Sequence, residues 1–267
     1  MSAPGTPPAP ELEVSESAEA LAAAVTQRLV ALVVAAQRAR GSASLVITGG
    51  RVMKQVLTSL ASAGSDTGID WTAVDVWWGD ERWVAAGTEG AEGRNDMEFA
   101  PVADAAPFDP ARIHRMPAVG DFATVEDAAD AYAEALAASA LERGESGPVP
   151  QFDVALLGVG EDGHCASLFP GAPGTGVTDR SVIAVHDSPK PPPDRLSLTF
   201  PSLDASAEIW FVTAGDGKAD AVAAALTGGV RPTEVPSSAP RGRHATRWLI
   251  DAAAATKLPD GFSVPGS

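Results

Sequence analysis

The stretch that decides the fold is Phe152-Asp-Val-Ala-Leu-Leu-Gly-Val-Gly-Glu-Asp-Gly-His-Cys-Ala-Ser-Leu-Phe-Pro-Gly171. Its first part, residues 152–157, is a short apolar run of the kind that forms a buried parallel strand. Its second part alternates glycines with ionisable residues: Gly158, Gly160, Glu161, Asp162, Gly163 and His164. Open α/β sheets build their ligand sites at the carboxyl ends of such strands. The stretch therefore predicts a buried strand that delivers an acid and an imidazole to a site.

Strand patterns and helix patterns alternate along the rest of the chain. Further strands are predicted at residues 11–14, 44–48, 71–78, 112–116, 181–186, 195–199, 208–213 and 246–251. Helices are predicted at residues 18–40, 51–62, 125–142 and 216–226, with a short helix after the last strand and Asn95 as a cap for another. This alternation predicts the α/β class, with an open, mainly parallel sheet flanked by helices. Residues 11–258 are expected to form a single domain, between a disordered N-terminus (1–10) and a C-terminal tail (259–267).

Composition limits the classes of partner. The 267 residues carry a formal charge of −16, so nucleic acid and anionic membrane surfaces are not expected partners. The single cysteine, Cys165, rules out an internal disulfide framework. Residues 1–10 do not resemble a signal peptide, and no segment is expected to reach the roughly 20 apolar residues that span a bilayer. The protein is therefore expected to be soluble and cytoplasmic.

His164 is the strongest catalytic candidate, because histidine can act as a general acid or base near neutral pH. Asp162, two residues earlier, can orient it, and the glycines allow a substrate to approach closely. Cys165 is instead expected to be a small buried hydrophobe. No G-x-S-x-G elbow is present, which argues against a serine hydrolase. The four histidines lack metal-ligand spacing, so no metal site is expected.

A dinucleotide site is an alternative, because residues 158–163 satisfy the G-x-G-x-x-G pattern. That pattern requires a helix of several turns after the third glycine. Pro170-Gly171 ends the following segment within two turns. A catalytic loop is therefore the preferred interpretation.

Four further loops suit an anion, and each follows a predicted strand. They are Thr48-Gly-Gly-Arg51, Gly79-Asp-Glu-Arg82, the proline-flanked Lys190, and Gly215-Asp-Gly-Lys218. Backbone N–H groups at a helix start bind phosphate, and an arginine can fork onto it. In so acidic a chain, four such loops at strand ends favour a phosphorylated substrate.

Taken together, these loops resemble the 6-phosphogluconolactonase family, related to the hexosamine-phosphate isomerases. The resemblance is carried, in order, by Trp78-Gly-Asp-Glu-Arg-Trp-Val84, residues 157–171, Ser188-Pro-Lys-Pro-Pro-Pro-Asp-Arg195, Gly215-Asp-Gly-Lys218 and Thr246-Arg-Trp-Leu-Ile-Asp251. It covers about residues 12–258 and implies the Rossmann-like sheet of sugar-phosphate isomerases and deaminases, with no cofactor. Ser167-Leu-Phe-Pro170 is similar to the lactonase form rather than the deaminase form of this segment.

The resemblance implies hydrolysis of 6-phospho-D-glucono-1,5-lactone to 6-phosphogluconate. The protein is expected to be a monomer or small homo-oligomer. The implied catalytic residues are His164, Asp162 and Asp80, with N–H groups around residues 160–163 and a nearby cation holding the oxyanion. The implied phosphate- and substrate-binding residues are Thr48, Gly49, Gly50, Arg51, Arg82, Lys190, Arg195 and Lys218.

Two departures from the family concern the loops. Thr48-Gly-Gly-Arg-Val-Met53 stands where the family often shows Ser-Gly-Gly-Ser-Thr-Pro, so two expected hydroxyls are missing. Arg94-Asn95-Asp96 matches the family only at Asn95.

Two alternative functions remain. They are an amino-sugar-phosphate deaminase or isomerase and a non-catalytic sugar-phosphate-binding protein.

Overall fold

The protein is described from a computed structural model, which covers residues 8–63, 67–89 and 93–262. Residues 8–10 contain neither helix nor strand. The rest of the segment predicted to be disordered, residues 1–7, lies outside the described residues, as does the end of the predicted tail, residues 263–267.

Within these residues, strands and helices alternate along most of the chain. In chain order the strands are β1 (Glu11–Ser15), β2 (Ala43–Ile47), β3 (Val74–Trp78), β4 (Asp80–Arg82), β5 (Ile113–His114), β6 (Phe152–Leu157), β7 (Val182–Val185), β8 (Arg195–Leu198), β9 (Ser206–Thr213) and β10 (Ala245–Asp251). The helices are α1 (Ala18–Arg40), α2 (Arg51–Ala63), α3 (Asp96–Ala105), α4 (Val125–Glu142), α5 (Phe200–Leu203) and α6 (Ala219–Thr227).

A seven-stranded sheet forms the centre of the described chain, in the order β1-β10-β9-β6-β2-β3-β5. Every pairing in it is parallel. All residues of β2 and β3 are buried, as expected for parallel strands covered on both faces. The predicted α/β class and mainly parallel sheet are confirmed.

A small antiparallel sheet, in the order β4-β8-β7, lies beside the carboxyl end of β3. The chain passes from β3 to β4 through Gly79, where an added Cβ would lie 2.8 Å from Thr48 Cγ2. Asp80 pairs with Ser197 and Arg82 with Arg195. The strands predicted at 181–186 and 195–199 therefore exist, but they belong to this second sheet.

Helix α1 begins and ends where the sequence indicates. Ser17 Oγ accepts a hydrogen bond from the Ala20 N–H (3.2 Å), and Gly41 ends the helix with φ 81°. By length and composition alone α1 is long and apolar enough to cross a membrane, so the expectation that no segment approaches this was wrong. One face of the helix, including Leu21, Val25 and Val33, is buried in the protein core.

One predicted strand and one predicted helix begin differently in the structure. Residues Trp71–Ala73 form a 3-10 turn before β3, with Thr72 N donating to the Asp70 carboxylate (3.1 Å). The helix predicted from residue 216 opens with a 3-10 turn, Asp216–Lys218. The predicted C-terminal helix is wrong. The chain forms turns after β10, because the Asp251 carboxylate accepts from Ala254 N (2.8 Å) and holds the backbone in a tight turn.

Candidate active site

The carboxyl ends of four adjacent strands, β9, β6, β2 and β3, meet at one edge of the sheet. Their loops and the β7–β8 loop enclose a cavity of about 510 Å³. Its ionisable lining residues are Arg51, Asp80, Arg82, Glu161, His164, Lys190, Arg195 and Lys218. Cations therefore outnumber acids here among the described residues, although the whole chain carries a charge of −16. The cavity suits an anionic ligand of sugar-phosphate size.

His164 and Asp162 form a hydrogen-bonded pair in the loop after β6. His164 Nδ1 lies 2.5 Å from Asp162 Oδ1. Burial alone would raise the pKa of Asp162, but the hydrogen bond and the charges of His164 and Lys190 lower it well below its usual range. The carboxylate is therefore ionised and can only accept, so Nδ1 carries the proton. In the neutral imidazole this tautomer leaves the lone pair on Nε2, which is the arrangement of an oriented general base.

The backbone of this loop folds back on itself. Gly160 N donates to His164 O (2.8 Å), and Gly163 N donates to Gly160 O (3.0 Å). These two N–H groups already donate to acceptors within the loop. The expectation that N–H groups of residues 160–163 hold an oxyanion is therefore wrong for Gly160 and Gly163. Gly160 is required for another reason. A Cβ there would lie 1.9 Å from His164 Nδ1 and 2.3 Å from Asp162 Oδ1.

No helix begins directly after Gly163. Residues 161–172 are turns and isolated bridges, which removes the element that a dinucleotide fingerprint needs. The thiol of Cys165 is fully buried, and burial together with the charges of Asp80 and Asp204 raises its pKa. Cys165 is therefore the small buried hydrophobe that the sequence predicts rather than an exposed nucleophile.

Asp80 is buried at the start of β4 and lines the cavity. Ser167 Oγ donates to Asp80 Oδ2 (2.7 Å), and Asn95 Nδ2 lies 3.4 Å from Asp80 Oδ1. The carboxylate is thus held from two elements at once. It is fixed in position at the wall of the cavity.

The glycine loop between β2 and α2 lies beside Asp80. Thr48 Oγ1 donates to Leu156 O (3.1 Å) and accepts from Gly158 N (3.2 Å), so the hydroxyl joins the ends of β2 and β6. Gly50 N already donates to Glu98 Oε2 (3.1 Å). The first N–H groups of α2, from Arg51 onward, have no intrahelical acceptor, as at every helix start. This end of the cavity is the part best suited to a phosphate.

The cations around this loop belong to different elements. Arg82 Nη1 donates to Gly93 O, while its buried Nε has no hydrogen-bond partner among the described residues. Lys218 is half-buried, and burial followed by the charge of Lys190 lowers its pKa. Lys190 Nζ lies 3.9 Å from Asp162 Oδ1, close to the His164 pair.

Arg195 lines the cavity, but its guanidinium is bound to its own loop. Nε donates to Pro192 O (3.2 Å), and Nη2 donates to Lys190 O (2.9 Å) and Pro191 O (3.1 Å). The arginine therefore fixes the proline-rich loop that carries Lys190.

Three residues that the sequence did not place in the site help to build it. Glu81 is fully buried, and its two oxygens accept from Asn95 N (2.7 Å) and Asp96 N (2.9 Å) at the start of α3. The predicted cap by Asn95 is wrong, since its side chain makes no capping bond and faces Asp80 instead. Glu98 holds Gly50. The sequence signals for this cluster were the loop Gly79-Asp-Glu-Arg82 and the segment Arg94-Asn95-Asp96.

Comparisons with known proteins show the family of the chain. A family model described as "Glucosamine-6-phosphate isomerases/6-phosphogluconolactonase" matches residues 16–248. The chain is 46% identical over 261 residues to a Streptomyces coelicolor protein named 6-phosphogluconolactonase, covering 97% of this chain and 98% of that protein. It is 43% identical over 251 residues to one from Mycobacterium tuberculosis, covering 93% and 98%.

A solved structure of a 6-phosphogluconolactonase from Shewanella baltica matches with a TM-score of 0.74 at 25% identity, covering 93% of this chain and 100% of that one. The family model covers most of the chain, and the two relatives match it over nearly their whole length. The chain belongs to the glucosamine-6-phosphate isomerase/6-phosphogluconolactonase family.

Proposed function

We propose that this protein is a hydrolase that converts 6-phospho-D-glucono-1,5-lactone to 6-phospho-D-gluconate in the pentose phosphate pathway. The observation that carries the proposal is the hydrogen-bonded His164–Asp162 pair beside a cavity lined by five arginine and lysine side chains. Relatives covering nearly the whole chain and named 6-phosphogluconolactonase support the same reaction.

The chemistry starts at His164. Its free Nε2 takes a proton from a water molecule as the water attacks the lactone carbonyl carbon. The ring C–O bond then breaks, and the imidazolium returns the proton to the leaving ring oxygen. Asp162 keeps the imidazole in the required tautomer and stabilises its positive charge while it holds the proton. The reaction consumes one water and needs only groups of this chain.

Two other groups assist the reaction at the carbonyl. Lys190 supplies the positive charge that stabilises the developing oxyanion, in place of the N–H groups already used inside the loop. Asp80 is the second acid–base candidate, fixed by Ser167 and facing the same cavity.

The phosphate binds at the other end of the cavity. Thr48, Gly49, Gly50 and Arg51 form the loop at the start of α2, and Arg82 and Lys218 supply charge from β4 and from the β9–α6 connection. Arg51 compensates by charge for the hydroxyls that the loop lacks. Arg195 acts indirectly, by holding the loop of Lys190.

The remaining properties follow from the same interpretation. We propose that residues 11–258 act as one lactonase-like domain. The protein works in the cytoplasm as a monomer or small homo-oligomer. Its partner is the sugar-phosphate lactone rather than nucleic acid or membrane. The charge of −16 supports the exclusion of polyanionic partners.

The test is a coupled assay. Glucose-6-phosphate dehydrogenase generates the lactone in place, and acid release is followed with and without this protein. A rate proportional to protein concentration and above spontaneous hydrolysis is expected. Ammonia release from glucosamine 6-phosphate would instead support a deaminase, and saturable lactone binding without turnover would support a sugar-phosphate-binding protein.

A further inference from the structure

Asp251 ends strand β10 and lies beside the loop that carries Lys218. Its exposed fraction is 6%, and it does not line the cavity. Strand β10 lies next to β9, with Ile250 paired to Thr213, so both strands end at the edge of the sheet where the cavity lies. Thr213 and Lys218 do line the cavity. Asp251 is therefore placed next to one wall of the site without reaching the cavity itself.

A single oxygen of Asp251 connects two segments. Oδ1 accepts from Ala254 N (2.8 Å), within the turn after β10, and from Gly215 N (3.0 Å), on the loop after β9. The bond to Ala254 is local and forms the turn. The bond to Gly215 crosses from one strand end to the next, and Gly215 has φ 99°, a backbone angle that favours glycine. This second bond fixes the point at which the chain leaves β9.

The same glycine links Asp251 to Lys218. Gly215 O accepts from Lys218 N (3.0 Å), so Gly215 is bonded through its N–H to Asp251 and through its carbonyl to Lys218. Gly217 N donates to Asp216 Oδ1 (2.9 Å) within the same turn. The backbone of Lys218 is therefore two hydrogen bonds away from the Asp251 carboxyl group.

The position of Lys218 matters because it lies among other cations. Lys190 and Arg51 line the same cavity. Burial, and then the charges of Lys190 and Arg51, lower the pKa of Lys218, while the charge of Glu161 acts in the opposite direction. The like charges repel one another until an anion binds between them. A backbone that is already fixed keeps the ammonium group in place and reduces the entropy lost when the anion binds.

We propose that Asp251 is a positioning residue, which holds Lys218 at the phosphate end of the cavity through the backbone of Gly215. The inference rests on the proposed function, in which Lys218 binds the phosphate. Asp251 does not line the cavity, so its loss acts through Lys218. An interaction that is equally strong in the ground state and in the transition state affects KM more than kcat.

Asp251→Ala and Asp251→Ser test the proposal, each alone and combined with Lys218→Met. Alanine removes both hydrogen bonds. The serine hydroxyl is shorter than the carboxyl group, so it retains the local bond to Ala254 N and loses the bond to Gly215 N. Asp251→Asn is the matched control, because its amide oxygen keeps both bonds.

In the alanine and serine variants, KM for the lactone and the dissociation constant of inorganic phosphate, measured by calorimetry, should both rise about 3- to 10-fold, while kcat changes much less. This is part of the roughly 10- to 100-fold that loss of a charged hydrogen bond costs. Asp251→Asn should stay within about twofold of wild type. In the Lys218→Met background, the Asp251 substitutions should change each constant by less than about twofold, because the group that they displace is absent.

Melting temperatures show which variants fold, and Asp251→Ser provides the test if the alanine variant does not fold. Unchanged phosphate affinity in a folded serine variant would overturn the proposal. An equal loss of affinity with and without Lys218 would also overturn it, because that result shows a general structural effect, and so would a fall in kcat at unchanged KM. Wild-type protein that binds phosphate without hydrolysing the lactone contradicts the proposed function instead, and the phosphate constants still test the role of Asp251.

Discussion

Replacing Gly160 with alanine tests the His164–Asp162 pair while leaving both side chains in the protein. The backbone of Gly160 is outside the left-handed region, so alanine can adopt it. The new Cβ, however, would lie 1.9 Å from His164 Nδ1 and 2.3 Å from Asp162 Oδ1, whereas real Cβ contacts stay above 3.0 Å. The imidazole must therefore move by about 1 Å, and a misplacement of that size costs on the order of 100-fold in rate.

We expect kcat of the Gly160→Ala variant to fall about 100-fold, with a much smaller change in KM, because the phosphate loop is not touched. The measurement is the initial rate of acid release from lactone generated in place, corrected for spontaneous hydrolysis. Melting curves check that the variant is folded.

Gly158→Ala is the matched control, two residues earlier on the same loop. Its Cβ would meet only the Gly49 carbonyl oxygen, at an ordinary contact distance of 3.7 Å. We expect its kcat to stay within about threefold of wild type. A folded Gly160→Ala variant with wild-type kcat would refute the claim that the geometry of this pair controls the rate.

Three further predictions concern single side chains. In Asp162→Asn, loss of the carboxylate that fixes the histidine tautomer should lower kcat by about 10²- to 10⁴-fold, and unchanged steady-state kinetics would contradict the assigned role. In Glu98→Gln, loss of a negative charge near Arg82 and Lys54 should tighten inhibition by inorganic phosphate by about two- to fivefold, and weaker inhibition would count against a phosphate site at Gly50. Hydrogen bonds to Glu126 and then Asp194 raise the pKa of His186, so its contribution to stability is full below the ordinary value of 6.5 and is lost as pH rises through the raised pKa. His186→Asn should therefore lower the melting temperature more at pH 6 than at pH 9. The corresponding loss in free energy of unfolding should be less than about 1 kcal/mol because half of the ring is exposed, and an equal effect at both pH values would contradict this.

Local patterns were sufficient to predict most of the fold and the candidate catalytic loop. The apolar run of β6 followed by glycines, Asp162 and His164 is a local signal, and the structure places it as expected. The glycine loop before α2 and the loop of Lys218 are equally local, since each follows a parallel strand and the ends of such strands meet at one edge. This rule predicts that the three loops line one cavity, even when the tertiary contacts are unknown.

The features of the site that the sequence did not predict depend on contacts between segments that are distant in the chain. The sequence gives no sign that Glu81 is buried, but the packing of β4 against the start of α3 buries it. Burial raises its pKa to about 7, although Arg94 and backbone N–H groups act in the opposite direction. Because of the same packing, the Asn95 side chain lines the cavity instead of capping the helix, and the Glu98 carboxylate reaches the N–H of Gly50. Arg195 likewise appeared free to bind substrate, because the sequence does not show that three loop carbonyls hold it.

The most direct test of the central claim is the lactonase rate of His164→Ala beside wild type, measured with lactone generated by glucose-6-phosphate dehydrogenase and with inorganic phosphate as a check on the binding site. Loss of the base should lower kcat by about 10²- to 10⁴-fold while phosphate inhibition is retained. A His164→Ala protein that binds phosphate and hydrolyses the lactone at the wild-type rate would contradict the assignment of His164 as the general base.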